Sequence, residues 1–549
     1  MAQVATGTIN FQPCPELNAN ISAINGKPGT PFDCAQLSVP LDYTDPASPP
    51  LNLSIFRVNA TERPVLGSVL INFGGPGGTA ADGLPVSAET AREYIGPQWD
   101  LVSWDPRGTG YTIPFNCSIG SMTGTEVIAS KRDLGNLAGT NLTELFLASG
   151  WDHAGQIADY CFDQVDHEIG SLIGTAFVAR DMIEIVDALG EDGLLRFYGW
   201  SYGSALGAYV AAMFPERVDR MVLDGNLNPH DYQSGTYQDL PTDTDEAFAG
   251  FLETCFNVTD DCALYSLVQP NTTQDLLNAI NNLLEPLAQN ATSSAEAFQT
   301  YFSFKSIFIQ PLYYPKQWPA FAQTLADLLG GTIDLSESDT PPVYGEAAYA
   351  VVGIRASDAT FHANSSDEYL PFVEHAGKIS PSFSDILYNV WPSARWRMPA
   401  KERYWGDFRA TTKTPILFIN GMFDPATPLV NAYNASTGFE GSVVLPHTGY
   451  GHGILVSPST CVAGYMQAYY KNASLPGGNV TCLSDMTPVE WWRSIVQESA
   501  GNSASGDGGN STNSDEGAEG VEGGAGGRSG SLVLAIMAGS LAVAATSCL

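Results

Sequence analysis

Apolar positions in this chain follow two rhythms, a period near two and a period near 3.6, and the order in which they alternate predicts the architecture. "AQLSVPLDY" and "PLNLSIFRV" read as strands joined by the turn-rich "TDPASPP", the pattern of an antiparallel pair. "GSVLINFGGPGGT" is a short apolar strand that stops at glycines, and "WDLVSWDPRGTGYT" repeats the design. "TAFVARDMIEIVDALG" has helical spacing and a terminal glycine. After it come a buried-type strand "LLRFYGWS", a helix "SALGAYVAAMFPERV" and a strand "VDRMVLDGN". Strands alternating with helices over 36–230 predict an α/β layered core with a largely parallel sheet. From 231 to 395 only helical segments such as "TQDLLNAINNLLEPLAQ" recur, predicting an inserted helical cap. Strand patterns return at "KTPILFINGMFDPATP" and "SVVLPHTGYGHG", so 396–495 completes the core. Residues 1–35 are an N-terminal segment, and no internal repeat is evident.

Charge narrows the function classes. The chain carries 59 acidic against 24 basic residues, a net charge of −35. Nothing so acidic neutralises a run of phosphates, which excludes nucleic acid as a partner. A hydrophobic fraction of 44% fills a globular interior and excludes a mostly disordered chain.

Cysteines and sequons then point to a compartment. Of nine cysteines, Cys548 is penultimate and eight are dispersed without a C-x-x-C pair, which disfavours a metal site. Short loop closure suggests Cys14–Cys34, Cys117–Cys161, Cys255–Cys262 and Cys461–Cys482. Thirteen N-x-[ST] sequons occur, at Asn20, Asn52, Asn59, Asn116, Asn141, Asn257, Asn271, Asn290, Asn364, Asn434, Asn472, Asn479 and Asn510. Together they predict a glycosylated, disulfide-bonded protein of the secretory pathway. No signal peptide is visible in "MAQVATGTINFQPCP", so the expectation is a trimmed or late-starting N-terminus. Residues 496–531 form a Gly/Ser/acidic spacer ahead of an uncharged apolar tail, 532–549. That succession matches a GPI-attachment signal, with Gly523-Gly524-Ala525 one candidate attachment region. The expected location is the cell surface, anchored to plasma membrane or cell wall.

Gly199-Trp200-Ser201-Tyr202-Gly203 follows an apolar strand and opens a small-residue helix. A serine on such a sharp turn is exposed to substrate, and flanking glycines relieve the crowding. A serine capping an ordinary helix has the same local pattern, so the partners decide. A serine nucleophile needs a histidine base, and the histidine a carboxylate. Only seven histidines are present. "PILFINGMFDPATP" places Asp424 in a loop after one late strand, and "VVLPHTGYGHGIL" places His447 and His452 at the next. The glycine-flanked His452 is preferred over His447. "NFGGPGG" supplies an oxyanion-hole donor through Gly75, to act with the Tyr202 N–H. No G-K-[ST] phosphate loop is present, and neither cofactor nor metal is expected.

"NFGGPGG", "DPRGTG", "GWSYGS", "FDPATP" and "GHG", in that order, resemble the tripeptidyl and prolyl aminopeptidase-like serine peptidases of the α/β-hydrolase fold. "DCAQLSVPLDYTDP" and "TPILFING…CVAGY" resemble its secreted branch, with a TAP-like C-terminal domain. The resemblance covers roughly residues 10 to 485. It implies Ser201, Asp424 and His452 as triad, with Gly75 and Tyr202 as oxyanion donors. Phe73 stands where prolyl aminopeptidases usually have histidine, and Tyr388-Asn389 stand near Trp391-Pro392 where the secreted branch often has cysteine. Asp243, Asp245 and Glu246 are candidates for binding a substrate's free amine, or simply a solvated helix start. The expected activity is an exopeptidase taking peptide N-termini, the alternative an esterase on small esters or lactones. A non-catalytic adhesion protein on the same fold is the third reading.

Overall fold

A computed structural model describes residues 8–24, 29–117, 142–332 and 346–505. Its centre is a nine-stranded sheet. In chain order the strands are β1 (Gln12–Pro13), β2 (Asp33–Pro40), β3 (Pro50–Val58), β4 (Gly67–Asn72), β5 (Trp99–Trp104), β6 (Leu195–Trp200), β7 (Val218–Asp224), β8 (Leu417–Phe423) and β9 (Val443–Tyr450). Their spatial order is β1-β2-β3-β5-β4-β6-β7-β8-β9. β1, β2, β3 and β5 pair antiparallel, and every pair from β5 through β9 is parallel. The hairpin register sets Cys34 opposite Phe56 and Pro40 opposite Pro50.

Helices cover both faces of the parallel part, which is why its strands read as nearly unbroken apolar runs. On β4, Leu70 joins one hydrophobic cluster while Val69 and Ile71 join the other. On β6, Phe197 and Tyr198 divide in the same way. Helices Thr175–Ala188 and Tyr202–Met213 form the first face, and Ala80–Ile95 with Thr460–Asn472 the second.

The "DPRG" segment after β5 secures the antiparallel edge. Arg107 forks onto Asp181 through Nε and Nη2, both at 2.7 Å, and donates to the carbonyls of Leu41 and Leu172. The pair is fully buried, and Tyr43 adds a hydroxyl bond of 2.8 Å to the same carboxylate.

Between β7 and β8 lie helices Thr244–Val258, Thr273–Asn290, Ala295–Tyr313, Trp318–Leu329, Glu346–Asp358 and Ser366–Ile379, with no strand among the described residues. The first four build a separate aromatic core around Phe251, Phe308, Trp318 and Phe321. Two features depart from the boundaries expected above. The last helix, Pro488–Ser505, runs past residue 495 and inserts Trp492 into that cap core. The segment after residue 142 also packs on the cap, with Phe146 edge-on to Trp391 at 4.9 Å. In each case a large aromatic finds apolar neighbours in the cap, Trp492 in the core around Phe251 and Phe146 against Trp391.

The structure pairs Cys14 with Cys34, Cys117 with Cys161, Cys255 with Cys262 and Cys461 with Cys482. The eleven described sequon asparagines are all exposed, whereas Asn141 and Asn510 lie outside the described residues. So do Cys548, the Gly523-Gly524-Ala525 region and the 532–549 tail. No described helix is long and apolar enough to cross a membrane.

Candidate active site

Ser201 sits on the one-residue turn between β6 and the helix Tyr202–Met213, at φ 57° and ψ −119°. A non-glycine residue there is strained, and such strain persists only where the surroundings over-determine it. Here the Ser201 amide donates to the Asp224 carbonyl at 2.9 Å, tying the turn to the end of β7. Crowding accounts for the flanking glycine: a Cβ on Gly199 would overlap the Gly203 carbonyl. Gly74 approaches from the β4 loop so closely that its Cβ would lie 2.8 Å from that of Ser201. The amide of Tyr202 is the first of its helix, where no intrahelical acceptor exists. It therefore faces outward beside the same loop.

Asp424 follows β8 and is wholly buried. Amides of Ala426, Thr427 and Gly453 donate to its carboxylate at 2.9–3.1 Å, and the Thr427 hydroxyl does so at 2.9 Å. Both its oxygens lie 3.0 Å from His452 Nδ1. A carboxylate on Nδ1 holds the neutral ring's proton there and leaves Nε2 as the basic nitrogen. His452 Nε2 is buried with no hydrogen-bond partner among the described residues. The ring is packed between Trp200, 5.3 Å away, and Tyr313, 5.0 Å away and edge-on. Trp200 precedes Ser201, so the histidine stands beside the serine turn. His447 lies on β9, accepts from the Gly449 amide at 3.2 Å, and makes no hydrogen bond to Asp424. Burial pushes its imidazole down to about 4, which keeps it neutral.

Ser201, Gly75 and Thr427 line one pocket, walled by Leu227, Leu240 and Tyr313. The wall thus draws on the core's strand ends and on the cap. Asp243, Asp245 and Glu246 do not line it. Asp243 accepts from the Leu429 amide at 3.0 Å, Asp245 from the Ser382 amide at 3.3 Å, and Glu246 is exposed. Burial raises the Asp243 carboxyl to about 6, and the nearby charges of Asp424 and Glu246 push the same way.

Several contributors escape a linear reading. Asp224 is buried behind the histidine, where Oδ2 accepts from the Tyr198 hydroxyl at 2.7 Å and the Ile454 amide at 2.9 Å. Burial raises its carboxyl to about 6. Arg355 comes from the cap helix Glu346–Asp358, lines the pocket, and donates through Nη2 to the Gly75 carbonyl at 2.9 Å. Three residues on, Asp358 binds the Thr175 hydroxyl, which bonds the Tyr202 hydroxyl at 2.7 Å. The sequence offered one clue to this helix, a lone arginine inside the apolar run "AAYAVVGIRASD" of a chain with few cations. No group of described side chains has the make-up of a metal centre.

Residues 68–302 match the family described as alpha/beta hydrolase fold, and residues 382–482 the one described as TAP-like protein. Serine protease Hip1 of Mycobacterium tuberculosis is 24% identical over 495 residues, covering 86% of this chain and 91% of that protein. Tripeptidyl aminopeptidase of Streptomyces lividans is 25% identical, covering 83% and 85%. Carboxylesterase B of Mycobacterium tuberculosis is 27% identical, covering 82% and 86%.

Proposed function

Because the chain belongs to the TAP-like serine peptidase family of the α/β-hydrolase fold, we propose that it cleaves acyl bonds through a Ser201–His452–Asp424 triad. The observation that carries this is the strained Ser201 turn beside a histidine whose Nδ1 is held by a buried carboxylate. His452 Nε2 takes the Ser201 proton as Oγ attacks the substrate carbonyl. The N–H groups of Gly75 and Tyr202 receive the charge that develops on the carbonyl oxygen. His452 then protonates the leaving group, and an activated water releases the acyl group from Ser201 by the reverse sequence. Asp424 orients the ring and stabilises the imidazolium that forms.

The substrates we propose are peptides, shortened from their N-termini, in keeping with relatives named tripeptidyl aminopeptidase and serine protease. One observation favours esters as the second reading: no carboxylate lines the described pocket to receive a free amine. A relative named carboxylesterase is in keeping with it. The protein works outside the cell, held by a GPI anchor. Eleven exposed sequon asparagines and four disulfide pairs support secretion. Release of the protein from membranes by phosphatidylinositol-specific phospholipase C tests the anchor.

Turnover of tripeptidyl and aminoacyl 4-nitroanilides, against short-chain 4-nitrophenyl esters, tests the substrate class. Faster hydrolysis of the anilides after allowance for leaving-group reactivity is expected. Ester turnover alone overturns the peptidase reading, and turnover that survives Ser201→Ala overturns the triad.

A further inference from the structure

The pocket beside Ser201 holds one charged side chain among the described residues, and it is a cation. Arg355 is 8% exposed. Its guanidinium reaches the Gly75 carbonyl and lies 5.3 Å from the Tyr237 ring, yet has no carboxylate in ion-pair contact among the described residues. Its Nε is buried without a hydrogen-bond partner. In the lining of the same pocket, Asn389 carries a buried Nδ2 that also lacks a partner. An arginine cannot shed its proton to escape burial. An uncompensated buried charge is strongly destabilising, and unsatisfied buried donors add to it. The remaining wall combines the apolar Leu227, Leu240 and Leu387 with the hydroxyl-bearing Ser201, Tyr313 and Thr427, and no carboxylate lines it to balance the charge.

We propose that Arg355 and Asn389 form a subsite for a carboxylate of the substrate, beside the scissile bond. A guanidinium presents paired donors that match the two oxygens of a carboxylate, and exclusion of water strengthens the contact. The inference rests on Ser201 being the nucleophile, since that places the substrate in this pocket. The net charge of −35 does not oppose it. Surface charge is screened over roughly 8 Å at physiological ionic strength, so the adjacent cation decides. Arg355 also fixes the Gly75 carbonyl, and through it the oxyanion donor on the same residue. Binding a carboxylate thus seats the substrate against the residue that stabilises its transition state. The carboxylate belongs either to an acidic side chain on the acyl side or to the end of a short peptide.

Competition against active-site labelling separates these outcomes without assuming amide or ester turnover. The rate at which a neutral fluorophosphonate labels the full chain is measured with three peptides: Ala-Ala-Glu amide, Ala-Ala-Gln acid and Ala-Ala-Gln amide. One of the two carboxylate peptides is expected to protect at about ten-fold lower concentration than the neutral amide, the scale of one charge-assisted hydrogen bond. Which one protects identifies the source. Arg355→Gln is expected to erase the difference, Arg355→Lys to keep part of it, and Asn389→Ala to reduce it. Equal protection by all three peptides overturns the subsite, and this needs only the wild-type protein. So does a preference that survives in a folded Arg355→Gln protein. A variant in which labelling slows while the protection ratio stands assigns Arg355 to holding Gly75 alone. Wild-type protein that folds but takes no label sinks the triad itself, which is a different failure.

Discussion

At the scale of single residues, the site divides into groups fixed by their neighbours in sequence and groups delivered from afar. Ser201 was legible because its turn is local: an apolar strand, two glycines and a small-residue helix occupy about twenty consecutive positions. Asp424 and the pair His447 and His452 were legible as candidates from the order of strands, and the flanking glycines favoured His452. Thr427, which donates to Asp424 and lies 3.2 Å from His452 Nδ1, had no distinguishing sequence context. Asp424→Asn is expected to lower kcat by about 10³-fold or more, because the amide stabilises the wrong imidazole tautomer. A kcat within ten-fold of wild type would remove Asp424 from the triad. Asp224 makes a subtler prediction. Its backbone holds the Ser201 amide and its side chain holds Ile454, two residues beyond His452. As a positioning residue, Asp224→Asn should lower kcat while KM changes little. It should also alter the acid limb of the pH–rate profile near 6, where this carboxyl titrates. A rise in KM at unchanged kcat and unchanged pH profile would contradict that role.

At the scale of elements, the strands of the parallel part were legible because burial on both faces leaves an apolar run, the two-residue β1 was not, and the cap was legible only as helices. What helix Glu346–Asp358 does could not be read, since its partners are Gly75 and Thr175, far away in the chain. Periodicity reports which face is buried, never against what. The same limit hid the function of "DPRG". Its arginine serves no chemistry in the described site, and instead joins the β2 edge to helix Thr175–Ala188 through a buried fork. Arg107→Met strands Asp181 without its partner and should destabilise by about 3–5 kcal/mol. Urea unfolding monitored by tryptophan fluorescence checks this, and a loss below about 1 kcal/mol would refute the network's importance.

For the whole molecule, acidity and burial combine into a dependence on pH. Asp105, Asp224, Asp231, Asp243 and Asp358 are each raised by burial to about 6. In the unfolded chain such carboxyls titrate near 3.9. Between these values the folded state binds more protons than the unfolded, so stability falls as pH rises through this window. His447, lowered to about 4 by burial, acts in the opposite sense, as do His153 and His362, which burial also lowers. Five carboxyls outweigh three imidazoles, and self-repulsion at a net charge of −35 adds to them. The melting temperature is therefore expected to be higher near pH 5 than near pH 7, as scanning calorimetry would record. A maximum at or above neutrality would contradict it.

These scales meet in one serine, on a turn that only its surroundings make tenable. Reaction of the full chain with a fluorophosphonate, followed by peptide mapping of the adduct, tests its role most directly. One adduct is expected, on Ser201, absent from Ser201→Ala and formed far more slowly in His452→Ala. A folded protein that takes no adduct, or takes it on another serine, would contradict it.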